Sequence, residues 1–117
     1  MQKIDLKQLF NEGHCSFDIS QRMAKVGIEP NHTALSYDKS GSLGNGGWVA
    51  EIWEEKDAFF PAVNLYEAVV LLESVADAEP EFGYDGEKYI VRMGNKETVG
   101  LTRVDALCNM YLKYKEK

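Results

Sequence analysis

Gly100-Leu101-Thr102-Arg103-Val104-Asp105-Ala106-Leu107-Cys108-Asn109-Met110-Tyr111-Leu112 is the stretch from which the fold is read. Thr102 and Asp105 stand three residues apart, the spacing of a capping box in which a hydroxyl and a carboxylate satisfy the first free amides of a helix. Behind them Val104, Leu107, Cys108, Tyr111 and Leu112 recur at helical spacing and form one apolar stripe. Asn64-Leu65-Tyr66-Glu67 opens a second helix in the same way. Its apolar positions, Leu65, Ala68, Val69, Leu72, Val75 and Ala76, share a face up to the stop at Ala78-Glu79-Pro80. Two shorter helices are predicted near the amino end, one through Leu6, Leu9 and Phe10, the other capped by Asp18 and ended by Gly27.

Alternating stretches at Thr33 to Tyr37, Trp48 to Trp53 and Lys88 to Met93, bounded by glycine-rich or Asp-Gly turns, read as strands. The order is α-α-β-β-α-β-β-α, an α+β fold with an antiparallel sheet of about four strands and helices packed on it. With 117 residues, 44% apolar and 27% charged, the chain fits one packed domain spanning 1–117. Within it, 1–32 is a helical amino-terminal part. Residues 33–78 and 82–115 read as tandem β-β-α units, because Tyr37-Asp38 and Tyr84-Asp85, Trp48–Ile52 and Tyr89–Met93, and Tyr66–Val69 and Val104–Leu107 fall in the same order. Chance alignment of two short α+β segments stands as the other explanation of that echo.

A strand and loop followed by Gly100-Leu101-Thr102-Arg103-Val104-Asp105-Ala106-Leu107 resembles small phage-type α-β-α sandwich proteins and the amino-terminal domain of HicB-like antitoxins. The resemblance covers about the last 35 residues and rests on a glycine turn, a capping hydroxyl and an acid-alanine pair. It implies a small accessory protein that binds other macromolecules without a cofactor, and carries over no catalytic or ligand residue. Residues 1–32 have no counterpart in it, and no basic DNA-binding segment of the kind such antitoxins append is present.

Chemistry-bearing residues are few. His14 and Cys15 are adjacent, but neighbours in sequence usually point apart, so Cys15 reads as a small filler residue and Cys108 as part of its helix's apolar stripe. His14, Cys15, His32 and Cys108 lack the paired spacing of a tetrahedral zinc site, so no metal or cofactor is expected. Ser40-Gly41-Ser42-Leu43-Gly44-Asn45-Gly46-Gly47 lacks the Lys-Ser/Thr of a phosphate loop and reads as a long hairpin loop. Asp85-Gly86-Glu87 is too short for a calcium loop. No apolar run is long enough for a membrane span and Met1–Asp5 lacks a signal-peptide pattern, so a cytoplasmic address with reduced thiols is expected.

The charge is unevenly placed. Glu51 to Glu87 holds eleven carboxylates against Lys56 alone, while the whole chain is at −6. Acids gathered in one third of a folded chain create a directional field that favours a protein partner with a basic surface over direct binding of nucleic acid or membrane. Glu51, Trp53, Glu54, Glu55, Asp57, Glu67, Glu73, Asp77, Glu79 and Glu81 are the expected partner-binding residues. Two non-enzymatic classes follow. One is a carboxylate-rich decoy of the kind phages and mobile elements encode, imitating phosphates to block a basic nucleic-acid-binding complex such as a defence nuclease or CRISPR effector. The other is an antitoxin-like or regulatory module binding through aromatic surface around Trp48, Trp53 and Phe59-Phe60. A metal-dependent or hydrolytic enzyme built on Glu51, Glu54, Glu55 and Asp57 trails both, and solvated acids on a strand edge would account for those residues equally. The lysines Lys113, Lys115 and Lys117 offer a way for the chain to neutralise its own acids.

Overall fold

The computed structural model describes residues 13–44, 59–76 and 79–116. Among the described residues there are three α-helices and two three-stranded antiparallel sheets: α1 (Phe17–Lys25), β1 (Leu35–Asp38), β2 (Leu43–Gly44), β3 (Phe59–Ala62), α2 (Leu65–Glu73), β4 (Glu81–Tyr84), β5 (Tyr89–Met93), β6 (Lys96–Gly100) and α3 (Arg103–Lys115). A short 3-10 turn, Pro30–His32, precedes β1. The α+β class is as expected, but the strands divide into two sheets, ordered β2-β1-β3 and β4-β5-β6, where one sheet of about four was expected. The helix through Leu6, Leu9 and Phe10 and the strand Trp48 to Trp53 lie outside the described residues.

The first sheet begins with a hairpin tighter than the glycine-rich loop suggested. Asp38 closes it: one carboxylate oxygen accepts from the Ser40 and Ser42 amides (2.8 and 3.0 Å) and the Ser40 hydroxyl, and Gly41 takes φ 85°. These bonds, the Ser40 hydroxyl first, hold the Asp38 carboxyl below its ordinary pKa. β3 then returns beside β1 with Tyr37 opposite Phe60. The second sheet is a meander. Asp85 turns its first corner by accepting from the Glu87 and Lys88 amides (2.9 and 2.7 Å), and Gly94-Asn95 makes a two-residue second corner with Gly94 at φ 61°. Both Tyr-Asp pairs of the internal echo therefore end a strand at an aspartate-capped turn. The Tyr37 strand is central in its sheet, however, and the Tyr84 strand is an edge.

Helix boundaries follow their caps. Ser16 caps α1, its Oγ accepting from the Ile19 amide at 3.4 Å, two residues before the expected Asp18, which sits in the first turn where a carboxylate favours the helix dipole. Gly27, at φ 99°, ends α1 as read: its amide reaches the Ala24 carbonyl and that of Ile28 the Met23 carbonyl, a Schellman closure. Asn64 and Glu67 form a full capping box on α2 (2.8 and 2.9 Å). Thr102 caps α3 by accepting from the Asp105 amide at 3.1 Å, but the Asp105 side chain does not complete the box. Its Oδ1 accepts instead from the Ser16 amide at 2.8 Å, tying the start of α3 to the start of α1.

α3 is the hub. It packs on β5 and β6 and against both other helices, while α1 also packs on β3. The predicted single stripe thus understates its burial. Ala106 and Met110 are fully buried beside Val104, Leu107, Cys108 and Leu112, because neighbours cover the helix on more than one side. α1 is sewn to the first sheet by the Cys15 amide on the Val63 carbonyl (2.8 Å), Ser20 Oγ on the Pro61 carbonyl (2.5 Å) and the Tyr37 hydroxyl on the Cys15 carbonyl (2.6 Å). Burial, helped by the nearby Cys15 and Asp105, pushes the Tyr37 hydroxyl up to about 12.

Candidate binding surface

β4 is exposed along its whole length, which is unusual for a strand carrying two aromatic residues. It forms the edge of the second sheet, with Phe82 54% and Tyr84 60% exposed. Residues two apart on a strand share a face, so these two rings point the same way. They line a groove of about 510 Å³ with Leu65 and Val69 of α2, Tyr89 of β5 and Arg103 of α3. Tyr84 lies directly across the ladder from Tyr89, ring centres 4.7 Å apart, and the Arg103 guanidinium lies over the Tyr89 ring at 5.4 Å. Leu65, read as a core position of α2, is 42% exposed and lines this groove.

Exposed carboxylates flank this surface along the chain. Glu79, Glu81, Asp85 and Glu87 fall on β4 or its flanks, and Glu73 is exposed near the end of α2. Among the described residues the ion pairs are Arg22–Glu116, His32–Glu29 and Arg92–Glu97, so none of these five acids is engaged by one. Lys113 reaches the Glu97 carbonyl (3.3 Å), and Lys115 lies over the Tyr111 ring, so both serve their own neighbourhood.

Of the ten residues expected at the site, Glu73 at the end of α2, Glu79 before β4 and Glu81 in β4 are exposed. Glu51, Trp53, Glu54, Glu55, Asp57 and Asp77 lie outside the described residues. Glu67 is placed otherwise: one carboxylate oxygen accepts from the Asn64 amide and the other from the Ala34 amide (3.0 Å), fixing α2 to the segment before β1. The expected aromatic surface is described only in part. Phe59 and Phe60 are half-buried in β3, with the Phe60 ring edge-on to Phe17 at 5.7 Å, while Trp48 lies outside the described residues. Sequence reading missed Phe82, Tyr84 and Tyr89. The available signal was the Phe-Gly-Tyr run between acids, where Phe82 and Tyr84 alternate with Glu81, Gly83 and Asp85 as on a strand.

Cys15 and Cys108 are both free and fully buried, as read. The Cys15 thiol donates to the Pro61 carbonyl at 3.8 Å, and hydrogen bonding with Cys15 together with burial holds the Cys108 thiol well above its ordinary pKa. A nucleophilic cysteine needs the opposite shift. Iodoacetamide at neutral pH is therefore expected to leave both thiols unmodified in the folded protein and to label both in urea, as read by intact mass; labelling of the native chain would contradict this packing. Burial, opposed by nearby Glu67, lowers the His14 pKa. His32 is on the surface, its Nδ1 accepting from the Glu29 amide at 2.9 Å. Among the described residues no three His, Cys, Asp or Glu side chains converge as a metal site would need, and no helix is long and apolar enough to cross a membrane.

Compared with known protein families, curated proteins and solved structures, the chain matches none.

Proposed function

We propose that this chain is a non-enzymatic binding protein that docks a basic protein surface through the groove between α2 and β4. The observation that carries the reading is the presence of two half-exposed aromatic rings, Phe82 and Tyr84, on one edge strand with exposed acids within and beside it in the chain. Large aromatic side chains in a groove supply most of the energy of a small interface, whereas rim charges chiefly set partner choice and rate of association. This is the regulatory-module reading of the sequence with its aromatic surface relocated from Trp48, Trp53 and Phe59-Phe60 to β4. The decoy reading, in which carboxylates imitate phosphates and block a basic nucleic-acid-binding complex, is favoured by the absence of ion pairs at Glu73, Glu79, Glu81, Asp85 and Glu87 among the described residues.

Two sets of substitutions separate them. A Phe82→Ala/Tyr84→Ala chain and a Glu79→Lys/Glu81→Lys/Glu87→Lys chain are compared with the parent for the proteins retained from a bacterial lysate at low and high salt. Apolar docking predicts that the aromatic variant loses the parent's partner by about tenfold or more, equivalent to about 1.4 kcal/mol, and that part of the binding survives high salt. Phosphate mimicry predicts that charge reversal abolishes retention and that salt alone releases the partner. A partner held equally by all three chains would remove this surface from the account.

A further inference from the structure

β4 has one hydrogen-bonding edge in the ladder with β5, and among the described residues no strand covers the other. An uncovered strand edge is a row of backbone donors and acceptors, and proteins ordinarily blunt such edges or use them. Here Phe82, Gly83 and Tyr84 of the strand line the groove, and Gly83 is one of its two inner residues. A Cβ there would meet only Ile90 Cβ, at 3.7 Å, so the glycine is not demanded by crowding in the fold. Absence of a side chain at that point allows another backbone to come close.

We infer that β4 takes up an extended, cationic segment of a partner protein as a fourth strand of the second sheet, with alternate apolar side chains of that segment in the groove of Leu65, Val69, Phe82 and Tyr84 and its lysines or arginines toward Glu79, Glu81, Asp85 and Glu87. The inference rests on the docking surface proposed above and adds its mode and the chemistry of the occupant. Period-two geometry sends alternate side chains of an added strand to opposite faces, one meeting the aromatic rings and the other the Glu81 side of β4. Charge selects the occupant. Glu79 to Glu87 contains four carboxylates and no cation, so a second copy of this chain paired along the same edge would bring two such runs together. A lysine-bearing strand relieves that repulsion. Arg103, the one cation lining the groove among the described residues, already lies over Tyr89.

The full chain is titrated with a fluorescent nine-residue peptide of alternating lysine and valine, followed by anisotropy. Four further arms use the alternating glutamate and valine peptide, the parent peptide N-methylated at every lysine, the same peptide N-methylated at every valine, and the Phe82→Ala/Tyr84→Ala chain with the parent peptide. Strand addition predicts saturable binding of the lysine peptide, at least tenfold weaker binding of the glutamate peptide, at least tenfold loss for one or both N-methylated peptides, and a similar loss for the aromatic variant. Because both rings are exposed, that variant is expected to keep its fold, which circular dichroism checks. Unchanged binding by both N-methylated peptides would overturn strand addition and leave the docking surface standing. Binding that ignores the Phe82 and Tyr84 substitutions would overturn the docking surface itself. A concentration-dependent dimer that shields these two residues would assign the edge to a second copy and overturn the cationic occupant.

Discussion

Replacing Gly100 with alanine is expected to destabilise the protein by about 3 kcal/mol or more, the upper range for forcing an added methyl group into a packed site. A Cβ at this position would lie 2.5 Å from the Ala106 amide nitrogen, 2.9 Å from the Asp105 carbonyl carbon and 3.0 Å from Ala106 Cα. All three atoms belong to the backbone of the first turn of α3, so no flexible side chain is available to give way. That turn is also anchored by Thr98 Oγ1 on the Ala106 carbonyl (2.8 Å) and by Asp105 on Ser16. Relief would have to move the helix that packs on β5, β6, α1 and α2, or break the Gly100 pairing with Tyr89 at the end of β6. Thermal unfolding should show a fall of roughly 10 °C for a domain of this size. Gly13 provides the control: nothing lies within 4 Å of its Cβ position, and Gly13→Ala should change stability by less than about 1 kcal/mol. Equal effects at the two positions would mean that the β6 to α3 junction is not packed as described.

Asp105 gives the second large effect. Its carboxyl is buried in the core and accepts the Ser16 amide, so Asp105→Leu leaves that amide without a partner and should cost about 2 kcal/mol. Asp105→Asn retains an acceptor oxygen and isolates the charge. Burial raises the carboxyl pKa above its ordinary 3.8, against the opposing bond from Ser16. The folded chain therefore holds this proton more tightly than the unfolded chain does. The stability contributed by the protonated form is complete below pH 3.8 and is lost as pH rises through the elevated folded value. Asp38, Asp85 and Glu116 have lowered values and act in the opposite sense, so the difference between parent and Asp105→Asn is the informative quantity. In urea unfolding from pH 4 to pH 7, the parent should lose stability relative to the asparagine variant as pH rises. A parent that gains on the variant over that interval would show that the Ser16 bond outweighs burial.

Elements with a strong local signal were legible in the sequence. Capping residues and helical spacing located α2 and α3, the glycine at 27 located the end of α1, and Tyr89–Met93 was recognisable from its apolar alternation. What escaped depended on contacts distant in sequence. Phe59–Ala62 contains a proline, which weakens any strand reading, yet it pairs with β1 along four residues. Lys96–Gly100 begins with two charged residues of low strand propensity and is a strand because β5 and α3 hold it. Asp105 followed the capping pattern to the residue but bonds a group 89 positions away, a choice that spacing within one helix does not encode. The site was legible only as charge. Composition pointed to the acidic third of the chain, and Glu73, Glu79 and Glu81 are exposed there. That Glu67 would be consumed by two backbone amides, one of them before β1, and that Phe82 and Tyr84 would stay exposed are set by tertiary packing.

Amide chemical-shift mapping of the full chain during titration with the lysine-valine peptide reads, residue by residue, where a cationic partner contacts the protein. The expected map has its largest changes at 65–69, 81–85, 89 and 103, with the core amides of α3 around Leu107 unmoved. Changes centred instead on the α1 face near Arg22 and Lys25, or spread evenly over the surface, would contradict it.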